Sequence, residues 1–456
     1  MNKKQITILI VTTFSSLLTP FMGSAINVAL PSIGSYFNSD IMTLNWVATG
    51  FLLSSSIFLL PAGRLADIYS RKLIFTIGIS IFGIFSIASA ISWNITSLIV
   101  FRVVQGIGGA MIFSTGVALL ISFFPIQQRG RVLGINVASV YVGLSLGPTL
   151  GGVLVKQFDW QSVFWLTVPF AAVVLILTNI VIREDIHESS KQRFDYKGMF
   201  VYTFFLTSLI YGFSKLPQTI GFVLTSAGIV LGVFFYLIEQ KQAYPLLNVL
   251  LLKQNKVFRY SNLAAFINYA STFAVGFLLS YYLQYIKGYN PQESGMILLS
   301  QPILMALLSP LSGRLSDKIE PRILATTGMT LSTIGLFLLS FLSIDSSITF
   351  IIVSLIIIGV GFSLFSSPNT NAVMSSVNKN QFGVASATLG TMRITGQMFS
   401  MGIAMLFFSL IMGKQIISPA QFQAMLKSLN TTFLFFSIMG IVGIASSYIR
   451  GNVRDK

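Results

Sequence analysis

Arg64, Asp67, Arg71 and Lys72 crowd into the segment Gly63-Arg64-Leu65-Ala66-Asp67-Ile68-Tyr69-Ser70-Arg71-Lys72, between two long apolar stretches. Asp67 and Arg71 stand at i and i+4, so they can pair with each other, with a helix end or with an adjoining bundle. Such a pairing is a bond that can be made and broken, which is latch chemistry. Gly63 lets neighbouring backbone come close. A degraded copy, with Gly313, Arg314, Asp317 and Arg322, follows 250 positions later. Two more charges lie inside apolar runs: Arg102 in Phe101-Arg102-Val103-Val104-Gln105-Gly106, and Arg393 in Thr391-Met392-Arg393-Ile394-Thr395-Gly396-Gln397. A charge within an apolar span is costly and points to a cavity or a partner. Arg102 is near enough to its helix end to snorkel to an interface; Arg393 lies deeper from both ends.

The elements that carry these residues follow from composition. Of 456 residues, 54% are hydrophobic and only 9% charged, against roughly 25% charged in an average soluble domain. Crossing the hydrocarbon takes about 20 apolar helical residues. Apolar runs fall near residues 6–30, 44–65, 73–92, 97–122, 132–155, 161–182, 197–213, 219–238, 260–285, 293–313, 322–342, 347–367, 384–411 and 431–449. The expected fold is all-α integral membrane with 14 transmembrane helices: two six-helix bundles, residues 1–190 and 259–456, and a two-helix hairpin inserted within 191–258. Twenty-two of the 29 Lys and Arg flank one side of these spans, five the other, and two lie within spans. That split places both termini in the cytoplasm. Nucleic acid is not the partner that the net charge of +16 would suggest in a soluble chain. The first span is too long for a signal-peptide core. The segment Tyr244 to Leu252 is too short to span and reads as interfacial or as a linker turn.

Other spacings support two parallel halves with a site between them. Gly106-Ile107-Gly108-Gly109-Ala110 matches Gly359-Val360-Gly361-Phe362-Ser363 at an offset of 253, which also relates Gln128-Arg129-Gly130 to Gln381-Phe382-Gly383 and Gly143 to Gly396. Gly143, Gly147, Pro148, Gly151 and Gly152 give one helix a small-residue face and a bend. Candidate polar cavity residues are Asn27, Gln105, Asn136, Tyr141, Asn268, Tyr269, Gln301, Asn369 and Gln397 beside Arg393; each could equally form an interhelical hydrogen bond. None of the 13 Asp and Glu falls near the centre of a span, so a cationic cargo has no evident partner. Absent cysteine and a single histidine, His187, exclude thiol chemistry and a histidine-cluster metal site. No phosphate-binding loop is present, and Gly106-Ile107-Gly108-Gly109 follows no strand, so an enzyme and a bound cofactor are not expected.

At these residues the chain resembles the major facilitator superfamily, in its 14-spanner drug:proton antiporter branch. The loop 63–72 and its copy at 313–322 match the signature between helices 2 and 3. Arg102, Gln105, Gly106 and Gly108 match the helix 4 pattern, and Gly143, Gly147, Pro148, Gly151 and Gly152 the helix 5 antiporter motif. Asn27-Val28-Ala29-Leu30-Pro31 closes the first-helix pattern, and Arg393 matches the Arg of the penultimate helix. The resemblance implies proton-driven export of small amphipathic molecules across the plasma membrane, with Arg102 in coupling. Many members carry an Asp where this chain has Met22, a departure that weighs against cationic drugs. A metabolite or nutrient carrier of the same fold, or a non-transporting membrane sensor, are the other readings. Protons are the expected coupling ion, the bilayer the medium, and a monomer the expected form; Asp40, Asp67 and Glu293 are the acids that could carry the proton.

Overall fold

The computed structural model describes residues 3–39, 41–182, 194–216, 218–242, 245–247, 249–289, 291–412 and 422–453. Asp40, His187, Tyr244 and Asn248 lie outside them. Among the described residues the chain is helical: α1 (Lys3–Phe37), α2 (Ile41–Ile68), α3 (Arg71–Ala90), α4 (Ile95–Ser122), α5 (Ile126–Phe158), α6 (Gln161–Val181), α7 (Tyr196–Ser214), α8 (Thr219–Glu239), α9 (Val249–Gln254), α10 (Lys256–Thr272), α11 (Val275–Tyr281), α12 (Pro291–Leu298), α13 (Ser300–Ser316), α14 (Pro321–Leu339), α15 (Ile348–Ser375), α16 (Phe382–Met412) and α17 (Phe422–Ile449). Thirteen stretches of these are long and apolar enough to cross a membrane. The fourteenth expected span falls on α7, a 19-residue helix carrying Lys197, Tyr202, Thr203, Thr207, Ser208 and Tyr211.

Starts and breaks follow from local chemistry. Ser70 caps α3 by accepting from Leu73 N at 3.0 Å, and Asn94 with Ser97 form a reciprocal capping box on α4. Each cap satisfies an amide that the first turn leaves open, worth about 1 kcal/mol. The expected span 260–285 is not one helix. Its two parts are α10 and α11, and α11 runs on into a π-helical turn at Tyr282–Ile286. At the break, the hydroxyls of Ser271 and Thr272 bond back to Ile267 O and Asn268 O, while Ser400 Oγ on α16 accepts from Ala274 N at 3.0 Å. The freed amide thus has a partner inside the protein, as a membrane interior requires. Similarly, the expected span 293–313 is α12 followed by α13, with a bend at Leu299.

The chain forms two compact units. The first comprises Met1–Met199, Lys241–Asn248 and Val377–Thr391; the second comprises Phe200–Gln240, Val249–Ser376 and Met392–Lys456. In the first, α1 packs on α4, α5 and α6, α2 on α4, and α3 on α4 and α6. Its core holds Met22, Phe51, Phe75, Phe82, Trp160 and Phe164. In the second, α10 packs on α15 and α17, α13 on α15, and α14 on α15 and α17, counterparts of every first-unit pairing but that of α1 with α5. Phe433, Phe436, Tyr282 and Leu355 sit in that core. Also in the second unit, α8 packs on α7 through Gly228, where an added Cβ would lie 2.7 Å from Leu209 Cα.

The likeness of the units extends to how corresponding helix pairs touch, although the serines that bridge α2 to α4 and α13 to α15 stand at different registers. Ser55 Oγ donates to Gly106 O at 2.8 Å in one, and Ser312 Oγ to Ser363 O at 2.7 Å in the other. A Cβ on Gly143 would meet Leu17 O at 2.5 Å and Phe21 N at 3.2 Å; on Gly396 it would meet Phe266 O at 2.6 Å and Ala270 N at 3.1 Å. Both helices ride backbone to backbone on a carbonyl and the amide four residues on. Gly143→Leu and Gly396→Leu should therefore each destabilise the purified protein in detergent by about 1–3 kcal/mol, read as a lower thermal midpoint. Gly23→Ala, whose Cβ would meet nothing within 4 Å, should leave that midpoint in place.

Candidate functional site

The charged loop closes the turn between α2 and α3. Asp67, in the last turn of α2, pairs with Arg71, the first residue of α3, at 3.1 Å, and its side chain is only 2% exposed. Asp67 Oδ1 also accepts from Gly383 N at 3.0 Å and Oδ2 from Val384 N at 2.9 Å. Those are amides of the first turn of α16, so the carboxylate sits on the positive end of that helix. Arg71 Nη1 donates to Ser122 Oγ on α4 at 3.0 Å, and Nη2 to Lys379 O. Phe382 lies under two guanidiniums, those of Arg71 at 5.5 Å and Arg129 at 5.1 Å. Gly63 makes room for this contact: its Cβ would lie 2.7 Å from Gly383 O and against Ala387. Arg64 and Lys72 flank it half-buried. Every residue of this cluster belongs to the first unit.

The copy is wired differently. Gly313 is buried in α13, Arg314 exposed in its last turn, and Asp317 is the residue at which that helix ends. Where Arg71 stands in the first loop, Pro321 opens α14 in the second. A guanidinium still arrives there, from Arg450 just beyond α17: its Nη2 donates to Pro321 O at 2.8 Å, its Nη1 to Asn369 Oδ1 at 2.8 Å and Ser261 Oγ at 3.2 Å. Arg450 is 1% exposed. Burial pulls its pKa down to about 9, with Glu320 opposing, so it stays charged at pH 7. Sequence reasoning counted Arg450 as a tail charge. The overlooked signal was its place one residue past an apolar run, from where it can fold back into the bundle.

Arg102 is fully buried. Its Nε donates to Val47 O at 3.0 Å and its Nη1 to Gln105 Oε1 at 2.5 Å; Gln105 in turn donates to Ser86 Oγ at 2.7 Å. The Phe51 ring lies 4.4 Å away. The side chain turns inward to α2 and α6 rather than snorkelling. Arg393 is different: half-buried on α16, it donates through Nη2 to Thr370 Oγ1 and stands 5.7 Å from the Tyr269 ring centre.

The expected cavity residues divide between the units. Asn136 joins α5 to α1 through Thr12 O at 3.1 Å and Ser16 Oγ at 2.9 Å, and Tyr141 is buried nearby on α5. Asn369 serves the Arg450 cluster and also donates to Ser261 O at 3.1 Å. Gln105, Asn136 and Asn369 thus use their amides between helices. In the second unit Asn268 and Tyr269 are buried on α10, Gln397 is half-buried on α16, and the backbone of Gln301 receives Gly359. The side chains of Asn27 and Pro148 lie outside the described residues, though both positions are helical. On α5, a Cβ at Gly147 would lie 2.8 Å from Ala25 N and one at Gly151 3.0 Å from Ala25 Cβ, whereas Gly152 would meet only Val28 at 3.8 Å. No group of three His, Asp or Glu that could hold a metal occurs among the described residues.

Removing a buried, hydrogen-bonded charge leaves its acceptors unsatisfied, at about 1–3 kcal/mol each. Arg450→Met should accordingly lower the thermal midpoint of the purified protein well beyond Arg393→Met, because three internal acceptors lose their donor against one. Equal shifts would show that Arg450 is not the internal tie its contacts describe.

Comparison with known proteins agrees with this geometry. The Major Facilitator Superfamily model matches residues 12–252 and 262–456. The riboflavin transporter RibZ of Clostridioides difficile (strain 630) is 27% identical over 92% of this chain and 91% of its own length. The multidrug resistance protein Stp of Mycobacterium tuberculosis (strain CDC 1551 / Oshkosh) is 32% identical over 89% of this chain and 76% of its own. Among solved structures, the proton:xylose symporter XylE shares the fold, with a TM-score of 0.68 at 13% identity over 97% of this chain and 94% of that one. A helical bundle pair with repeated packing, the charged loop and a family match along nearly the whole length lead to one conclusion: the chain belongs to the Major Facilitator Superfamily and is a multi-pass membrane transporter of small molecules, with multidrug transporters among its relatives.

Proposed function

We propose that the protein exports amphipathic compounds across the plasma membrane in exchange for protons, by alternating access, as a monomer with both termini in the cytoplasm. Two six-helix bundles, residues 1–190 and 259–456, carry the motion, and the helices within 191–258 form an inserted hairpin. The observation that carries the export reading is the seating of Gly143, Gly147 and Gly151 of α5 against the backbone of α1, at the positions of the antiporter motif. The multidrug relatives support the cargo class. Arg102 is the coupling residue, because a fully buried cation with only neutral partners responds to any charge brought near it.

In this reading Asp67, Arg71 and the start of α16 are the cytoplasmic latch, made when that side closes and broken when it opens. The loop's copy, with Gly313, Arg314 and Asp317, flanks the equivalent turn of the other half. A second reading is favoured by one observation: RibZ, named as a riboflavin transporter, matches over nearly all of both chains. A carrier of one polar metabolite would show saturable transport of a single compound and none across a mixed panel.

Everted vesicles offered a chemically mixed panel should accumulate neutral and anionic amphiphiles, and dissipating the pH gradient should weaken the uptake. Uptake indifferent to the gradient removes proton antiport; cation uptake as strong as that of neutral compounds removes the charge preference. The latch has its own readout, since the chain has no cysteine. Ser386→Cys places one thiol at a buried site on α16, and Asp67→Asn, by weakening a charge-assisted contact, should speed its labelling about tenfold. Met22→Asp should add cation export if the missing carboxylate limits substrate choice.

A further inference from the structure

Among the described residues Arg393 makes no ion pair. By sequence, α10, α11 and α13 to α17 hold no Asp or Glu, so none of these helices supplies a carboxylate to it. Arg102 and Arg450 are differently placed: each is fully enclosed and bonded to two or three internal acceptors. Arg393 is half-exposed, has the Thr370 hydroxyl as its acceptor, and its buried Nε has no hydrogen-bond partner. A guanidinium inside a membrane protein is stable only with its N–H groups met, and a hydroxyl offers a dipole in place of a charge. The same helices, α10 and α16, carry further unused groups. Asn268 Nδ2 and Thr395 Oγ1 are buried without partners, and Gln397 is one turn along α16. The wall is aromatic: Tyr269 faces Arg393, and Phe362 meets Tyr269 edge-on at 5.2 Å.

We infer that Arg393 is the specificity-determining anchor for a carboxylate or comparably acidic group on an aromatic cargo, whose ring lies against Tyr269 and Phe362. This rests on the export reading above and names the charge class of the compounds moved. A planar carboxylate matches the guanidinium fork and supplies the missing acceptor for Nε, while the π faces take the apolar body. A cationic head group at the same place meets a like charge with no acid to offset it.

The test is equilibrium binding of radiolabelled 2-naphthoate and of 2-naphthamide, its neutral isostere, to the purified full-length protein in nanodiscs at pH 7.5. Wild type should bind the carboxylate tighter by about tenfold or more, and Arg393→Gln should erase that difference while moving amide affinity less than about twofold. Arg393→Lys, which keeps the charge without the fork, should retain part of the preference. Wild type that does not distinguish the two ligands, or an Arg393→Gln variant that weakens both alike, overturns the assignment. Should the Gln variant not fold, Thr370→Val decides: carboxylate affinity kept or raised supports the anchor, and loss in step with the amide overturns it. Discriminating binding without efflux would overturn the export reading and leave the anchor standing; efflux without discrimination does the reverse.

Discussion

Water is missing from the middle of this protein's environment, and every polar group there must find its partner in the chain or in what the chain carries. That constraint explains why charged residues are only 9% of the sequence and why so many serines and threonines bond their own helix carbonyls. It also explains the three inner arginines. Arg102 is closed in by a carbonyl, an amide and an aromatic ring, Arg450 by an amide, a hydroxyl and a carbonyl, and both act as ties between helices. Interactions of this kind are strong in a low dielectric when complete and costly when partial. Arg393 is the partial one.

The two units show how one architecture can drift in its wiring while its packing is kept. Most helix pairings recur, and so does the seating of a glycine on a carbonyl and an amide, of α1 in one unit and of α10 in the other. The charged loop does not recur. In the first unit Asp67 and Arg71 hold the start of α16, whereas in the second a proline replaces the arginine and Arg450 reaches back to the same turn from the end of α17. The intact loop makes a bond to a helix end. The replaced one is sealed under the fully buried side chain of Arg450.

Much of this was legible from residue order alone. Apolar length gave the spans because a helix is the one open-chain way to satisfy a backbone in lipid. The loop, its copy and the glycine spacings gave the repeat. Three things were not legible. The break between α10 and α11 depends on Ser400, 126 residues away, taking up a free amide. Asp67 meets amides 316 and 317 residues distant, which its spacing to Arg71 does not reveal. Polar residues such as Gln105, Asn136 and Asn369 look alike in sequence whether they bind cargo or bind another helix; only their partners separate them.

Cargo charge and energy source are one electrostatic problem here. Exchanging a monovalent cation for one proton moves no net charge, so the pH gradient alone must drive it, and the proton needs a well-tuned acid. Exporting an anion while a proton enters moves two elementary charges down an inside-negative potential, about 4.6 kcal/mol per 100 mV. Even without the proton, an anion leaving the cell is driven by about 2.3 kcal/mol per 100 mV. A transporter with anionic cargo can therefore do without a buried carboxylate to carry the proton. In the proposed reading, the buried Met22 and Arg393, whose Nε is unmet and whose neighbouring helices α10, α11 and α13 to α17 carry no carboxylate, are two sides of one choice of substrate.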